Sequence, residues 1–506
     1  MKLCFKILII LMAFANNIFS QVLLGNLQEK VLAVENGLML PIYLKDSTVA
    51  PMNLLDRMKF HHVKGLSIAV INDGKIEWAK GYGVKNSANE PVTENTIFQA
   101  GAISKLVTSV ISMKLVESGK ISLDEDINNK LISFKVPENE FTVQQKVTLR
   151  RLLTHNAGLE NVGLNSGAYP RNTPLPKIIN ILKGELPAAN KPILVSSIPG
   201  TNPRVAGEGY VIVQQLIEDL VKQPFTEYAK TTVLDKLGMT KSTFQQDLPA
   251  SLTALVASGN FQGKELLDKW KLHPACASGG LWSTPSDIAK FFIEIQKASH
   301  GKNNKLFSAS IAQQMLSSQK GNENRGIGFY LNGANDDLTF YHRGWSDGYT
   351  SYALAFKNTG QGVVIMTNSD NEGYKLMMEI VRSVASAYHW TKILPLEAQP
   401  SHEMSVIKSD TTFHHFYWGE YLMDGRKLAN VFSNAQQLYI QFDNIKTLKL
   451  YPINEDEFIT EEGENLKFLR FSGEAAAGIR FKDPIYEYVA KKIGGQGHGI
   501  SINKVR

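Results

Sequence analysis

The sequence predicts an α/β protein of the α+β kind, in which an antiparallel sheet is flanked by helices, a helical region is inserted between its strands, and a small all-β domain follows. Three observations support this. A hairpin pattern lies near the start of the chain, a second pair of strand-like runs lies near residue 360, and short β-type runs fill the chain beyond residue 400. Helical patterns occupy the stretch between the two strand pairs, so a sheet built from both ends of one domain accounts for this order.

The length of the chain predicts more than one domain. It has 506 residues, whereas single hydrophobic cores stop growing at roughly 250–300 residues. We expect a removable segment over residues 1–20, a main domain over 21–395 and a small β-barrel-like domain over 396–506. Hydrophobic residues make up 43% and charged residues 20% of the chain, as in ordinary globular proteins. The net charge of +6 is spread along the chain without a basic stripe, so nucleic acid is not an expected partner.

The amino terminus has the pattern of a secretory signal peptide. Lys2 and Lys6 precede the apolar run 7–14, and small or polar residues follow up to Ser20. The run is shorter than the ~20 residues that a spanning helix requires, although an uncleaved anchor is the alternative. We expect a periplasmic or extracellular protein without an integral membrane span after signal cleavage. Cys276 is then the remaining cysteine, which excludes an intramolecular disulfide.

Two strand pairs are predicted for the main domain. Apolar and polar residues alternate from Leu66 to Val84 on both sides of Asn72-Asp73-Gly74, which is the pattern of a β-hairpin. The runs 350–356 and 362–367 predict a second pair, and a helix is expected over 374–387.

Three amphipathic helices are predicted between the strand pairs. Apolar residues recur with helical spacing from Ile103 to Val116, and Gly119 follows as a stop. Further helices are expected over 210–220 and 285–297. The last helix has three candidate capping residues: Ser283, Thr284 and Ser286.

The last hundred residues read as a small antiparallel barrel or sandwich. A change in composition over Leu394–Pro400 predicts a linker. Turn residues such as Asp424-Gly425 and Ser472-Gly473 separate the runs that follow. The predicted strands are 416–421, 438–442, 447–451, a short one at Phe458, 466–471 and 479–481.

The segment 96–105 ends in Ala102-Ile103-Ser104-Lys105 and resembles the first active-site motif of serine β-lactamases, penicillin-binding proteins and related esterases. In that family a serine opens a helix three residues before a lysine, so both side chains share one helix face. Lys105 occupies the lysine position, but Ala102 stands where the family has its nucleophile. Ser104 is no substitute, because it is rotated by about 100° from the lysine face.

The second family motif is also altered. A Pro-Gly turn at 199–200 precedes the region where the family carries Tyr-x-Asn or Tyr-Ser-Gly, and this chain carries Val205, Ala206 and Gly207 there. The resemblance therefore implies that the catalytic tyrosine position is held by Val205. We expect Tyr210, inside the following helix, to be a packing residue.

The third motif is intact. His342-Arg343-Gly344, followed by Trp345, resembles the family's His-x-Gly strand. The resemblance implies a catalytic position for His342 and a substrate-binding role for Arg343, Gly344, Trp345 and Gly207. Three further segments resemble structural signatures of the family and extend the likeness over residues from about 55 to 390: Leu152–Leu159, Leu237–Phe244 and Gly279–Asp287.

Metals and cofactors are not implied. The histidine pairs His61-His62 and His414-His415 cannot chelate on their own, because neighbours in a strand point to opposite faces. Gly279-Gly280 lacks the Lys-Ser or Lys-Thr of a phosphate-binding loop. We therefore expect no metal and no nucleotide cofactor.

The resemblance implies a hydrolase of the β-lactamase and serine hydrolase family, but two catalytic hydroxyls are missing. We predict a pseudoenzyme whose pocket binds a small-molecule or peptide ligand, such as a cell-wall peptide or an acyl compound. One alternative is an active esterase, β-lactamase or D-amino-acid peptidase that uses an atypical nucleophile, or Lys105 and His342 acting on a bound water. Another is an envelope interaction protein that binds through its tail domain.

Overall fold

The computed structural model describes residues 25–40, 42–44, 51–162, 164, 167–302, 304–320, 324–390, 393, 396–398 and, with short gaps, 415–492. The predicted signal peptide, His414 and the turns predicted at 424–425 and 472–473 lie outside the described residues. The chain divides into two compact units. One unit is Leu55–Met377, and the other combines the described residues of the two flanking stretches.

The first unit is built on a six-stranded antiparallel sheet whose central strands come from opposite ends of the unit. Asn72 pairs with Lys75 at the predicted hairpin turn, and Ile68 pairs with Ile365. The predicted assembly from both ends is therefore confirmed. In spatial order the strands are Lys75–Gly83, Gly65–Asn72, Gly362–Thr367, Tyr349–Phe356, Thr339–Ser346 and Tyr330–Asn332.

Helices and short strands fill the region between the two parts of the sheet. The predicted helices are present, and their ends differ from the prediction by at most three residues. The longer helices are Leu54–Phe60, Ser104–Glu117, Ile178–Lys183, Glu208–Val221, Pro285–Ser299, Ala309–Met315 and Asn371–Ala387. The shorter ones are Glu140–Gln144, Leu149–Leu153, Phe225–Ala229, Lys230–Leu234, Asp235–Leu237, Ala250–Thr253 and Cys276–Gly279, and the shorter strands are Phe98–Gln99, Asn260–Phe261, Lys264–Glu265 and Trp282–Ser283.

Two strands of the sheet are buried along their whole length, namely Tyr349–Phe356 and Gly362–Thr367. The helix Pro285–Ser299 packs against the sheet. Of the three candidate caps, Thr284 is the one in use, since its hydroxyl accepts a hydrogen bond from the Asp287 amide at 3.2 Å. A hydroxyl that satisfies an amide of the first turn in this way stabilises the start of a helix.

The helix Ser104–Glu117 lies inside the unit, because residues on all of its sides are buried up to Leu115. Its polar residues are therefore satisfied internally. The hydroxyl of Thr108 donates to the Ser104 carbonyl at 3.1 Å, and that of Ser112 donates to the Thr108 carbonyl at 2.9 Å. Such bonds to the preceding turn allow hydroxyl side chains to be buried in a helix.

A close backbone approach joins the strand Thr339–Ser346 to the segment that precedes this helix. A Cβ atom placed on Gly344 would lie 1.9 Å from the carbonyl oxygen of Ala100. Gly101 has a φ of +52°, and a Cβ atom there would lie 2.4 Å from the Trp345 carbonyl oxygen. Both positions require glycine, because any side chain would overlap the neighbouring backbone. The two glycines therefore allow the strand of the third motif to pack directly against the segment of the first motif.

The second unit contains a parallel strand pair and a closed barrel. Ile42–Leu44 pairs in parallel with Leu396–Ala398, so part of the stretch 394–400, where we predicted a linker, is a strand. Composition could not reveal this pairing, because the partner strand lies some 350 residues earlier in the chain. A helix over residues 25–35 precedes the pair.

The barrel has eight antiparallel strands, which settles the choice between barrel and sandwich. Its interior includes Tyr417, Phe458 and Phe468, whose ring centroids lie 4.8–5.2 Å apart. The sequence did not predict the strands Arg426–Asn434 and Glu487–Lys492. In chain order the barrel strands are Gly419–Met423, Arg426–Asn434, Gln437–Phe442, Lys446–Pro452, Glu457–Thr460, Asn465–Leu469, Gly478–Lys482 and Glu487–Lys492. Among the described residues, no helix combines the length and the apolar character needed to cross a membrane.

The approach at Gly344 leads to a prediction about stability. Gly344→Ala should lower the free energy of unfolding by about 3 kcal/mol, because the new methyl group overlaps a backbone oxygen that cannot move freely. Gly119→Ala is the control for a glycine without a close contact, since Gly119 has a φ of +70° and nothing within 4 Å of its Cβ position. It should cost only about 1 kcal/mol, from backbone strain. Urea unfolding measures both values, and equal losses would contradict the prediction.

Candidate functional site

Lys105 lies at the centre of the candidate site. It belongs to the first turn of the helix Ser104–Glu117, and only 7% of its surface is exposed. Its Nζ donates a hydrogen bond to the carbonyl oxygen of Ser278 at 2.7 Å. Ala102 lies three residues earlier, in the 3₁₀ turn Gly101–Ile103 that leads into the helix, and it is partly exposed. A methyl group therefore occupies the position at which the sequence comparison places a nucleophilic hydroxyl.

The hydroxyl of Ser104 does not replace the missing one. It donates to the Gly101 carbonyl at 2.6 Å and accepts from the Leu281 amide at 2.9 Å. The residue is fully buried. Ser104 therefore fastens the start of the helix to a neighbouring segment, as its rotation away from Lys105 predicted.

Two other hydroxyls of the same helix are also enclosed. Thr108 donates to the Ala277 carbonyl at 2.9 Å, and the Ser109 hydroxyl lies 3.1 Å from the Tyr210 hydroxyl. Both side chains are fully buried. In the described part of the chain, the hydrogen-bond partner of the Lys105 amine is a carbonyl oxygen, and no hydroxyl or thiol lies within hydrogen-bonding distance of it.

The surroundings of Lys105 favour its neutral form. Burial lowers the pKa of Lys105 from 10.5 to about 8; the Glu208 carboxylate opposes this shift, and the Arg325 guanidinium adds to it. Burial also lowers the pKa of His342 well below its usual value, and the charges of Lys105 and Arg325 lower it further. The Lys105 charge therefore acts on His342, and His342 is neutral at pH 7.

Arg325 and Glu208 are site residues that the sequence did not identify. Arg325 is 8% exposed, and its guanidinium lies 3.7 Å from the centroid of the Tyr330 ring. No carboxylate among the described residues forms an ion pair with it. Glu208 is 4% exposed, and its carboxylate accepts from the Val162 amide at 3.2 Å. Neither residue belongs to a motif that we recognised, so their positions emerged only from the folded chain.

The second motif surrounds the site without supplying a base. Val205 is 61% exposed, and the amide of Ala206 donates to Nδ1 of His155 at 3.1 Å. A Cβ atom on Gly207 would lie 3.1 Å from the Ser278 hydroxyl oxygen, which places Gly207 next to the residue that holds Lys105. The exposed Val205 carries no group that can accept a proton.

Tyr210 packs beneath the amine. Its ring centroid lies 5.6 Å from Nζ of Lys105, and its hydroxyl donates to the Leu153 carbonyl at 2.9 Å. The side chain is fully buried, and burial raises the pKa of Tyr210 far above its usual value. The phenol is therefore uncharged and its hydroxyl is already hydrogen-bonded, as expected of a packing residue.

The third motif is divided between the two faces of its strand. His342 and Gly344 are buried on one face, and Nδ1 of His342 donates to the Arg343 carbonyl at 2.6 Å. The Arg343 guanidinium lies 5.7 Å from the centroid of the Tyr374 ring, and Trp345 is 46% exposed. The structure therefore does not bring Arg343 to the face that carries His342 and Gly344. The alternation of side chains along a strand could have indicated this from the sequence.

A buried serine–histidine pair lies just beyond this motif. The hydroxyl of Ser346 lies 2.8 Å from Nε2 of His273 and donates to Oε1 of Gln99 at 2.5 Å. All three residues are at most 2% exposed. A substrate cannot reach this hydroxyl, so the pair supports the structure around the site and does not supply a nucleophile.

Comparisons with known proteins agree on the fold. A protein-family model described as Beta-lactamase matches residues 53–385. Protein flp of Staphylococcus aureus strain MRSA252 is 22% identical over 330 residues, and the alignment covers 63% of this chain and 62% of that protein, so the chain spans less than two thirds of this relative.

Two solved structures share the architecture. The octameric penicillin-binding protein homologue from Pyrococcus abyssi has a TM-score of 0.57 at 22% identity and covers 87% of this chain and 98% of its own. The D-amino acid amidase from Ochrobactrum anthropi SV3 has a TM-score of 0.54 at 19% identity and covers 72% of this chain and 99% of its own. At these identities the likeness shows a common fold.

The lowered pKa of Lys105 predicts a pH-dependent cost to stability. Below about pH 8 the amine is protonated in both the folded and the unfolded chain, so the folded state bears the full cost of burying a charge. Between about pH 8 and 10.5 the folded chain releases this proton and the unfolded chain retains it, so stability rises with pH. Lys105→Met should therefore stabilise the protein most at pH 7. This advantage should shrink by on the order of 3 kcal/mol towards pH 10.5.

Urea unfolding across this pH range measures the difference between variant and parent. The exposed Lys120, which follows the same helix, provides the control variant Lys120→Met. It should show little pH-dependent difference from the parent protein. If the stability difference between Lys105→Met and the parent protein stays constant with pH, folding does not lower the pKa of Lys105 and the prediction is wrong.

Proposed function

Because the chain belongs to the β-lactamase family and carries alanine at the position of the attacking serine, we propose that it is an exported, catalytically impaired member. Its pocket binds a cell-wall peptide or a related acyl compound. The signal-peptide pattern of residues 1–20 supports export.

A single observation carries the proposal. The Lys105 amine faces no hydroxyl among the described residues and donates instead to the carbonyl oxygen of Ser278. A serine hydrolase needs a hydroxyl that a neighbouring base can deprotonate. In subtilisin, loss of the nucleophile lowers kcat by on the order of 10⁶-fold, and only binding and polarisation remain. A site without its nucleophilic hydroxyl can still bind its ligand but no longer hydrolyses it at an appreciable rate.

The charges of the pocket support a ligand with an acidic group. Lys105 and Arg325 are buried cations, whereas Glu208 is the carboxylate that acts on the Lys105 amine. Buried cations without a matching number of carboxylates favour an anionic ligand. A peptide carboxylate satisfies this requirement. The similarity to a protein named as a D-amino acid amidase supports a ligand of peptide character.

The first test is labelling with mechanism-based probes. The full chain, incubated with a fluorophosphonate or with penicillin, should acquire no adduct on a serine or threonine, because no hydroxyl of the described residues lies within hydrogen-bonding distance of the Lys105 amine. Intact mass spectrometry followed by peptide mapping measures this. An adduct mapped to a hydroxyl would overturn the proposal and would favour an active hydrolase with a relocated nucleophile.

The second test restores the missing groups. Ala102→Ser should permit slow acylation by penicillin, and Ala102→Ser with Val205→Tyr should acylate faster, since the two variants return the nucleophile and the proton-transfer group. The gain from Val205→Tyr should be on the order of 10²-fold. Ala102→Ser with Lys105→Met is the control and should not be acylated. A folded double variant that remains unreactive would show that more than two hydroxyls have been lost.

A further inference from the structure

The Lys105 amine is the reactive group left at the centre of the site. It retains 7% exposure, and two residues beside it in the site are partly exposed: Ala102, three residues earlier, and Gly207, next to Ser278. A neutral amine that donates one N–H to the Ser278 carbonyl still has a lone pair for bonding to another atom. The methyl group of Ala102 cannot donate a hydrogen bond to that lone pair, and it is not a nucleophile that could react in place of the amine.

The charged and titratable groups around the amine come from four segments. Glu208 begins the helix Glu208–Val221, Arg325 precedes the strand Tyr330–Asn332, His155 follows the helix Leu149–Leu153, and His342 lies in the strand Thr339–Ser346. Burial lowers the pKa of His155 and of His342 well below their usual values, so both rings are neutral. Arg325 is then the permanent cation that acts on Lys105, and Glu208 is the opposing carboxylate.

At pH 7 most of the Lys105 amine is protonated, but this environment raises its neutral fraction. With the pKa of Lys105 lowered to about 8, roughly 300 times more of it is deprotonated at pH 7 than of an ordinary lysine. A desolvated lysine beside another cation is a known arrangement for covalent catalysis by an amine.

We propose that Lys105 is a nucleophilic amine that condenses with the carbonyl group of an aldehyde or a 2-oxo acid. The nitrogen lone pair forms a bond to the carbonyl carbon, and the carbonyl oxygen takes up the two protons of the amine and leaves as water. A C=N bond joins Lys105 to the ligand, and no electrons are gained or lost. This activity goes beyond the binding function proposed above.

Arg325 determines which carbonyl compounds are favoured. Its guanidinium is 8% exposed and has no carboxylate partner among the described residues. A ligand that carries a carboxylate next to its carbonyl group satisfies this cation while the carbonyl carbon faces Lys105. A 2-oxo acid should therefore react faster than a neutral aldehyde of similar size.

The test is reductive trapping on the full chain. The protein is incubated at pH 7 with glyoxylate and sodium cyanoborohydride, which reduces the C=N bond to a stable amine, and adducts are located by peptide mass spectrometry. Lys105 should be labelled at least ten times faster than the exposed Lys120, and glyoxylate should label it faster than acetaldehyde does. Labelling confined to exposed lysines would overturn the proposal.

Labelling rates in variants, and at different pH values, distinguish a reactive Lys105 from a lysine that only supports the structure. Lys105→Arg should abolish the adduct at this position, and Lys120→Arg should leave the labelling of Lys105 unchanged. Arg325→Gln keeps the lysine and should slow its labelling at pH 7 several-fold, even by acetaldehyde, because the pKa of Lys105 rises. In the parent protein the rate at Lys105 should level off above about pH 8, where its amine is largely neutral. A rate at Lys105 that keeps rising steeply well above pH 8 would overturn the proposal.

The outcomes remain separable from those of the proposed function. If no imine forms, a pocket that binds without reacting is still consistent with the labelling and restoration results. If penicillin forms an ester with a hydroxyl, the pseudoenzyme proposal fails whatever Lys105 does with glyoxylate.

Discussion

The hydrogen bond from the Lys105 amine to the carbonyl oxygen of Ser278 determines the form of the pocket. A buried amine needs an acceptor, because an unsatisfied polar group inside a protein costs several kcal/mol. The acceptor lies on the helix Cys276–Gly279, which packs against the helix that carries Lys105. The bond therefore ties the amine to a residue that also contacts the second motif, since a Cβ atom on Gly207 would lie only 3.1 Å from the Ser278 hydroxyl oxygen. The position of the amine follows from this contact whether or not a nucleophile is present.

Close backbone contacts maintain the remaining walls of the site. Gly344 and Gly101 allow the strand of the third motif to lie directly against the start of the lysine helix. The hydroxyl of Ser351 donates to the Ala100 carbonyl at 2.9 Å and reinforces the same junction. These contacts involve main-chain atoms and small residues, so they do not depend on the catalytic side chains. The presence of Ala102 and Val205 is therefore compatible with an intact scaffold around the site.

The charge distribution of the pocket is better explained by function than by stability. Lys105 and Arg325 are both more than nine-tenths buried, and in the described part of the chain neither forms an ion pair. Burying a cation without a paired carboxylate lowers the stability of a fold, so such groups are concentrated at sites that bind or react. Glu208 reduces this cost only in part, as the lowered pKa of Lys105 indicates. The surplus positive charge is then available to a ligand.

Elements that depend on local pattern were predictable from the order of residues alone. Residue alternation around Asn72-Asp73-Gly74 and helical spacing after Ile103 reflect contacts between near neighbours, and the three-residue interval between Ala102 and Lys105 spans the junction of a 3₁₀ turn and the helix that follows it. Which residues from distant segments meet became clear only in the folded chain. The approach of Arg325 and Glu208 to Lys105, the use of a Ser278 carbonyl as acceptor and the closure of the barrel all depend on contacts far apart along the chain. Such contacts leave no periodic signal, because the free energy that selects them comes from packing and desolvation of the whole fold.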